Sequence, residues 1–433
     1  MNKKIGIEIT LGFALFAMFF GAGNLVLPPF IGLKTGSEWL PAIAGFLTTG
    51  IVAPFLGVLA VAKHGNSFTD FGKKVNPTII MILAFFIMLC IGPLVAIPRT
   101  ASTTYEVGIL PSFPKVNNVL FSIIFFIVIY FLTVSKSKIV DIIGNYLTPF
   151  LMVCLGILVV VGVLKIEHPS IVTGMSATES YVFAFLEGYQ TLDVLASVAF
   201  AGIIINAAIA KGYTNHEERY KVTFSAGLIS MVALFIIYGG LIYLGAHTGL
   251  PSDETISRTD LLLQISKSVL GESGTLVVSV AIALACITTA IALASAMGGF
   301  LEELTKGKLK YSIAVLLTCL LACYLSVRTV DEIIEYAVVI LGFVYPITFS
   351  LILTILFFGK KIRTQAPYIA TIIVSAFFAL LSVFSHFGLF TEPINALNEW
   401  LPFSEHQLEW FVPSLLAFFI TAVLGKGRTF DEE

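Results

Sequence analysis

About twelve apolar runs of membrane-spanning length divide this chain, and they constrain its fold more than any other feature. The hydrocarbon core of a bilayer is about 30 Å thick, which an α-helix crosses in about 20 residues. Only 12% of the 433 residues are charged and the mean hydropathy is +0.96, whereas about a quarter of the residues in a soluble domain are charged. We therefore predict an all-α polytopic membrane protein with one domain over 1–433. The spans are predicted to begin near Ile5, Trp39, Pro77, Val116, Ile139, Phe183, Tyr220, Gly274, Tyr311, Ile333, Pro367 and Leu408.

The distribution of lysines and arginines supports an even number of spans. With the N-terminus in the cytoplasm, eighteen of the 25 cationic residues fall on the cytoplasmic side, six fall on the other side, and Arg99 lies within the third span. Such a bias follows the positive-inside rule. We therefore expect both termini to be cytoplasmic.

The first span contains an interruption that lipid does not ordinarily tolerate. Its segment FFGAGNLVLPPFIG places Gly21, Gly23, Asn24, Pro28 and Pro29 within an otherwise apolar helix. Glycine favours departure from helical geometry, and proline lacks a backbone donor. Unpaired backbone groups persist in a membrane only where they are buried in protein or line a polar cavity. The segment therefore predicts a discontinuous helix that binds a solute, although a simple kink or a close helix crossing is the alternative.

Two long segments carry a resemblance to a known family. FALFAMFFGAGNLVLPP, together with IGPLVAIPRTA at 91–101, closely resembles the bacterial branched-chain amino acid:cation symporter family, and EGYQTLDVLASVAF and ACITTAIALASA extend the similarity to spans six and eight. The resemblance implies a multi-pass protein of the bacterial inner (plasma) membrane that imports leucine, isoleucine and valine together with sodium. It implies no enzyme activity.

More distantly, GAGNLVLPP is similar to the GxGNxxxFP pattern of the neurotransmitter:sodium symporters, with proline in place of phenylalanine. That fold implies two inverted five-helix repeats with broken helices one and six, followed by two accessory helices. The predicted repeats are 1–164 and 165–358, and the accessory helices lie in 359–433. Span six carries Asp193, which faces either the bundle interior or, if the helix begins near Thr191, the interface as an N-terminal residue capped by Thr191.

The predicted substrate site combines the two breaks with spans three and six. A zwitterionic amino acid would place its carboxylate at the amides of the first break and its ammonium at carbonyl groups of the second. The apolar side chain would lie against span three and span six. The predicted substrate-binding residues are Gly21, Ala22, Gly23, Asn24, Gly92, Pro93, Val95, Thr191, Asp193, Ser197 and Phe200.

Span eight supplies a candidate sodium site. Ala285, Thr288 and Thr289 share one helix face because they stand at positions i, i+3 and i+4. Two hydroxyls and a carbonyl suit a hard cation, although membrane threonines often bond back to their own helix. The resemblance implies that carbonyl groups of Ala17 and Phe20 complete the site.

Arg99 has two interpretations. Its guanidinium either pairs with an acidic residue as an outer gate or extends to the outer interface.

Rival functions lack their sequence signatures. The chain contains no G-x-x-x-x-G-K-[ST], H-E-x-x-H or G-x-S-x-G motif, so an ATP-driven pump and an intramembrane enzyme are disfavoured. A proton-coupled transporter of another small zwitterionic or apolar solute remains the main alternative, and a channel is a weaker one. We expect no cofactor apart from the coupling sodium ion. The expected partners are the substrate, sodium and the lipid bilayer, with no nucleic acid and no obligate ATPase.

Overall fold

Helices make up the architecture of the protein. The computed structural model describes residues 3–134, 148–165, 168–251 and 255–425, so the predicted start of span five at Ile139 and the cations Lys136, Lys138, Lys426 and Arg428 lie outside the described residues. The α-helices are α1 (Lys3–Phe19), α2 (Ala22–Thr35), α3 (Trp39–Leu47), α4 (Ala53–His64), α5 (Pro77–Leu89), α6 (Ala96–Thr103), α7 (Asn118–Val134), α8 (Thr148–Lys165), α9 (Ala177–Glu187), α10 (Asp193–Ala210), α11 (His216–Ala246), α12 (Arg258–Leu304), α13 (Tyr311–Leu325), α14 (Val330–Phe358), α15 (Ala366–His386), α16 (Thr391–Asn398) and α17 (Phe411–Leu424).

These helices account for the predicted spans. Within the described ranges, seven helical stretches are long and apolar enough to cross a membrane, and five shorter apolar helices accompany them. The start of span eight is the main difference, because α12 begins at Arg258 rather than near Gly274. Gly271, at φ 72° and ψ −177°, kinks this helix. The part before the kink buries Leu261, Leu262 and Ile265 while carrying charges on its other face, so no continuous apolar run reveals it.

Spans one and six are each broken, as predicted. Span one divides into α1 and α2 at Phe20 and Gly21, and span six divides into α9 and α10 at 188–192. A third discontinuity was not predicted. Span three passes from α5 to α6 through a π-helical segment, Cys90–Leu94, in which Gly92 has the non-helical angles φ −90° and ψ −121°.

Pro28 and Pro29 do not contribute to the break in span one. Both lie inside α2, which continues to Thr35. The prediction that they interrupt the helix is therefore wrong. A proline removes a single backbone donor, and membrane helices tolerate this where neighbouring elements cover the freed carbonyl. Pro29 packs closely against α11, since a Cβ added to Gly245 would lie 2.7 Å from the Pro29 carbonyl carbon.

The contacts group the chain into two compact units. The first comprises Met1–Val52, Met88–Asp193 and Ala226–Glu335, and it contains both predicted helix breaks. The second comprises Ala53–Ile87, Val194–Ser225 and Tyr336–Glu433. Within the second unit, the ring of Phe418 packs against Phe358 and Tyr368. The predicted division into repeats at 1–164 and 165–358 stays a prediction.

Candidate functional site

Because span one is broken, a new helix, α2, begins at Ala22. Gly21 is extended, at φ −103° and ψ −173°, and as the residue before α2 it offers no side chain to cap the helix. Its amide donates to the Phe19 carbonyl at 2.8 Å, which turns the chain sharply between the two halves. The first amides of a helix have no partner within it, and the helix dipole makes them a favourable place for an anion. The amides of Ala22, Gly23 and Asn24 occupy this position.

The break in span six is a short 3₁₀ turn, Gly188–Thr191, followed by Leu192 at φ 66°. A positive φ is uncommon for a residue with a side chain, and it turns the chain so that a new helix begins at Asp193. The Thr191 hydroxyl donates to the Gly188 carbonyl at 2.9 Å and accepts from the Asp193 amide at 3.2 Å. Thr191 therefore stabilises both sides of the turn.

Asn24, Asp193 and Tyr238 join the two breaks. The side-chain amide of Asn24 donates to the Asp193 carboxylate at 2.5 Å and also to the Tyr238 hydroxyl. Asp193 is the first residue of α10, and because it is only 3% exposed it faces the protein interior. Tyr238 and Asn24 are equally buried. A buried carboxylate without donors is costly, so this amide holds Asp193 in place.

Arg99 lies close to Asn24, Asp193 and Tyr238, and the four residues form a buried polar cluster. It belongs to α6, which follows the break in span three, and is 2% exposed. Its Nη1 donates to the carbonyl of Gln190 in the span-six turn at 2.7 Å. The guanidinium also covers Gly23, because a Cβ added there would lie 2.7 Å from Cζ of Arg99. The alternative in which Arg99 extends to the outer interface is therefore wrong, whereas its role as a gate stays a prediction.

Thr289, one of the candidate sodium ligands of span eight, lies beside the break in span one. A Cβ added to Gly21 would lie 3.5 Å from Cγ2 of Thr289. Thr289 is 7% exposed, and its hydroxyl has no hydrogen-bond partner among the residues that the structure describes. By contrast, the Thr288 hydroxyl donates to the Ala285 carbonyl at 2.8 Å. Of the two residues in span one that are predicted to offer carbonyl oxygens to sodium, Ala17 is half-buried and Phe20 is buried at the break.

Aromatic rings surround the cluster on its apolar side. Phe20 stacks on Tyr238 with centroids 5.9 Å apart and on Phe16 at 5.1 Å. Phe46 of α3 meets Tyr238 edge-on at 5.4 Å. The sequence carries no signal for Tyr238 or Phe46, since each lies in an apolar run where an aromatic residue is ordinary core.

The remaining predicted substrate residues lie in two places. Gly92, Pro93 and Val95 are buried at the break in span three, and Gly92 faces Met297 of α12. Ser197 and Phe200 are buried in α10 within the second unit, where the Ser197 hydroxyl donates to the Val194 carbonyl at 2.7 Å. Their part in a substrate site stays a prediction.

Solved structures share this fold. The chain resembles the inward-facing conformation of Mhp1 with a TM-score of 0.63 and 11% sequence identity, over 96% of this chain and 90% of that chain. It also resembles Mhp1, a nucleobase-cation-symport-1 family transporter, in a closed conformation with bromovinylhydantoin bound, with a TM-score of 0.60 and 14% identity over 96% and 92% of the two chains. The predicted inverted-repeat symporter fold is confirmed.

Relatives by sequence cover nearly the whole chain. A branched-chain amino acid carrier protein of Staphylococcus aureus strain USA300 is 34% identical over 446 aligned positions, which include 98% of this chain and 97% of the relative. The corresponding protein of strain MRSA252 is also 34% identical, over 445 positions. The model of the branched-chain amino acid transport protein family matches residues 5–428. The chain is a multi-pass membrane transporter, not an enzyme, and it belongs to the branched-chain amino acid transport protein family.

Proposed function

We propose that this protein imports leucine, isoleucine and valine by sodium symport with alternating access, in a bacterial plasma membrane with both termini cytoplasmic. The family and the carriers of Staphylococcus aureus support the substrate class. The buried hydroxyl of Thr289 beside Gly21 is the observation that carries the sodium assignment. Buried polar groups ordinarily have a partner, so an unpaired oxygen at a helix break points to a ligand.

The substrate binds at the two breaks of the first unit. Its carboxylate meets the first amides of α2, those of Ala22, Gly23 and Asn24, where the helix dipole favours an anion, whereas the Gly21 amide donates to Phe19. Its ammonium lies near the span-six turn, beside Thr191 and Asp193. Gly92, Pro93 and Val95 offer buried apolar surface for the side chain. Apolar pockets separate related aliphatic groups by only about 1 to 3 kcal/mol, so uptake of leucine, isoleucine and valine overlaps.

Sodium is a cotransported substrate that binds next to this site. Its ligands are the carbonyl oxygens of Ala17, Phe20 and Ala285 with the hydroxyls of Thr288 and Thr289. A hydroxyl that donates one hydrogen bond still has lone pairs for a cation, so the bond from Thr288 to Ala285 is compatible with this role. Five neutral oxygens suit a hard monovalent ion.

A proton is the second candidate for the coupling ion, because Asp193 is a buried carboxyl group at the break. Ionisable residues inside membrane proteins often belong to proton relays. In this case the protonation of Asp193, rather than ion binding at Thr289, would drive transport.

Reconstituted vesicles distinguish the two ions. We expect purified protein in proteoliposomes to accumulate labelled leucine with an inward sodium gradient, and we expect unlabelled isoleucine and valine to compete. A sodium gradient imposed without a proton gradient should suffice. Equal accumulation driven by a proton gradient in sodium-free buffer would reject sodium coupling and favour Asp193 as the coupling group.

Replacing Thr289 by valine should specifically weaken the response to sodium. The substitution keeps the shape of the side chain but removes one oxygen ligand, so the sodium concentration for half-maximal uptake should rise about tenfold. Leucine affinity at saturating sodium should change much less. Thr318→Val in α13 is the matched control, since Thr318 is buried and its hydroxyl donates to the Ala314 carbonyl of its own helix. The same sodium response in both variants would assign Thr289 to helix packing.

A further inference from the structure

Two opposite charges are buried together between the helix breaks. Arg99 is 2% exposed and Asp193 is 3% exposed, and the guanidinium of Arg99 donates to the carbonyl of Gln190, three residues before Asp193. Charges are rarely buried in a membrane protein unless they are paired and used, because desolvation is costly. The pair leaves the site with no net charge from these two residues.

The guanidinium of Arg99 lies where a substrate carboxylate is expected. It covers Gly23 in the first turn of α2, whose capping residue, Gly21, has no side chain. Two sources of positive potential therefore coincide, since the helix dipole adds to the guanidinium charge. Arginine is also the side chain whose planar donors best match a carboxylate.

Further acceptor groups lie at Asp193 and in the turn that precedes it. The Asp193 carboxylate accepts from Asn24 and, with about four acceptor positions, has capacity for a further donor. The side-chain oxygen of Gln190 is buried and has no hydrogen-bond partner among the described residues. Gln190 belongs to the same turn that precedes Asp193. An ammonium group has three N–H donors, and Asp193 and Gln190 supply two oxygen-bearing side chains that can accept from them.

We propose that Arg99 and Asp193 select the substrate by its two charges, with Arg99 binding the carboxylate and Asp193, together with the side-chain oxygen of Gln190, binding the ammonium. This inference rests on the proposed transport of amino acids at the same site. A zwitterion brings one charge for each member of the pair and leaves the net buried charge unchanged. A ligand with only one charge leaves a buried partner uncompensated.

Competition by single-charge analogues tests the pair. The probes are 3-methylbutylamine, which is leucine without the carboxylate, and 4-methylpentanoate, which lacks the ammonium. In wild-type proteoliposomes at saturating sodium, each should compete with labelled leucine at least about 30-fold less well than unlabelled leucine. Competition by either probe within about threefold of leucine would overturn the proposal.

Substitutions then assign each charge. Asp193→Asn should weaken leucine binding at least about 30-fold, while the affinity for 4-methylpentanoate should stay unchanged or increase. Arg99→Gln should weaken leucine binding by a similar factor, while the affinity for 3-methylbutylamine should stay unchanged. Gln190→Met should weaken leucine about tenfold without affecting 4-methylpentanoate. Binding is measured by ligand-induced thermal stabilisation, which does not require transport. Arg219→Gln, at a partly exposed position on α11, is the control and should match the wild type.

If the Arg99 and Asp193 variants lost affinity equally for leucine, 3-methylbutylamine and 4-methylpentanoate, the two residues would have a structural role and the assignment would be overturned. If these variants do not fold, Gln190→Met and the wild-type competition still decide the question. Absence of leucine uptake by the wild-type protein would instead overturn the proposed function. Normal leucine uptake with strong competition by a single-charge analogue would overturn the charge pair alone.

Discussion

Gly23→Ala should lower leucine uptake about 100-fold while the protein stays folded. The added Cβ would lie 2.7 Å from Cζ of Arg99 and 3.0 Å from Nη1. The atoms in its way belong to the end of a flexible side chain, so the guanidinium can move aside without a backbone shift. The result is a displaced charge at the start of α2 rather than an unfolded protein. Gly23→Leu, which also fills the space beside the break, should abolish uptake.

The measurement is labelled leucine uptake per reconstituted protein, with thermal unfolding in detergent as the test of folding. Gly156→Ala in α8 is the matched control, because a Cβ at Gly156 meets nothing within 4 Å. This control should transport like the wild type. Normal uptake by Gly23→Leu would refute a substrate site at this break.

Asn24→Leu should have the second large effect, and it should affect both folding and transport. The substitution removes the amide that donates to both Asp193 and Tyr238, and it leaves a buried carboxylate without this donor. Removing one partner of a buried charged group costs about 3 to 5 kcal/mol, so the free energy of unfolding should fall by about 3 kcal/mol. Uptake should fall about 100-fold, since the two breaks lose their shared contact.

Two further variants make this prediction specific. Asn24→Asp places a second carboxylate beside Asp193 and should be at least as damaging as leucine. Asn118→Leu in α7 is the control, because Asn118 is partly exposed and its side chain donates to the neutral Val327 carbonyl at 2.9 Å and accepts from the Ser122 hydroxyl at 3.3 Å. The free energy of unfolding of Asn118→Leu should fall by no more than about 1.5 kcal/mol. Equal stability of Asn24→Leu and Asn118→Leu in denaturant unfolding would contradict the proposed network.

The break in span one was predictable because its cause is local. Gly21 and Gly23 weaken the helix whatever surrounds them, and lipid makes such a weakness rare without a function. The break in span six followed from the resemblance rather than from composition. Its turn depends on Leu192 in a left-handed conformation, which leucine itself does not favour. The discontinuity at Gly92 has a local cause in the Gly92-Pro93 pair, although these residues were predicted only to contact substrate.

Side-chain partners were less predictable. From the sequence, Arg99 could either extend to the outer interface or pair within the protein, and the structure shows that it is buried and donates to the Gln190 carbonyl. Tyr238 carries no local signal of a polar role, since its hydroxyl matters only because Asn24 of another helix reaches it. Thr288 and Thr289 have the same sequence signature, yet the Thr288 hydroxyl bonds back to its own helix while that of Thr289 does not.

Residue patterns along the chain were enough to predict a multi-pass helical membrane protein with a break in its first helix. Hydropathy and glycine chemistry act over single helices, so neither needs tertiary contacts. The meeting of Arg99, Asn24, Asp193 and Tyr238 at the two breaks depends on how the helices pack. These residues are far apart along the chain, and a buried charge becomes stable only when packing brings its partners within hydrogen-bond distance.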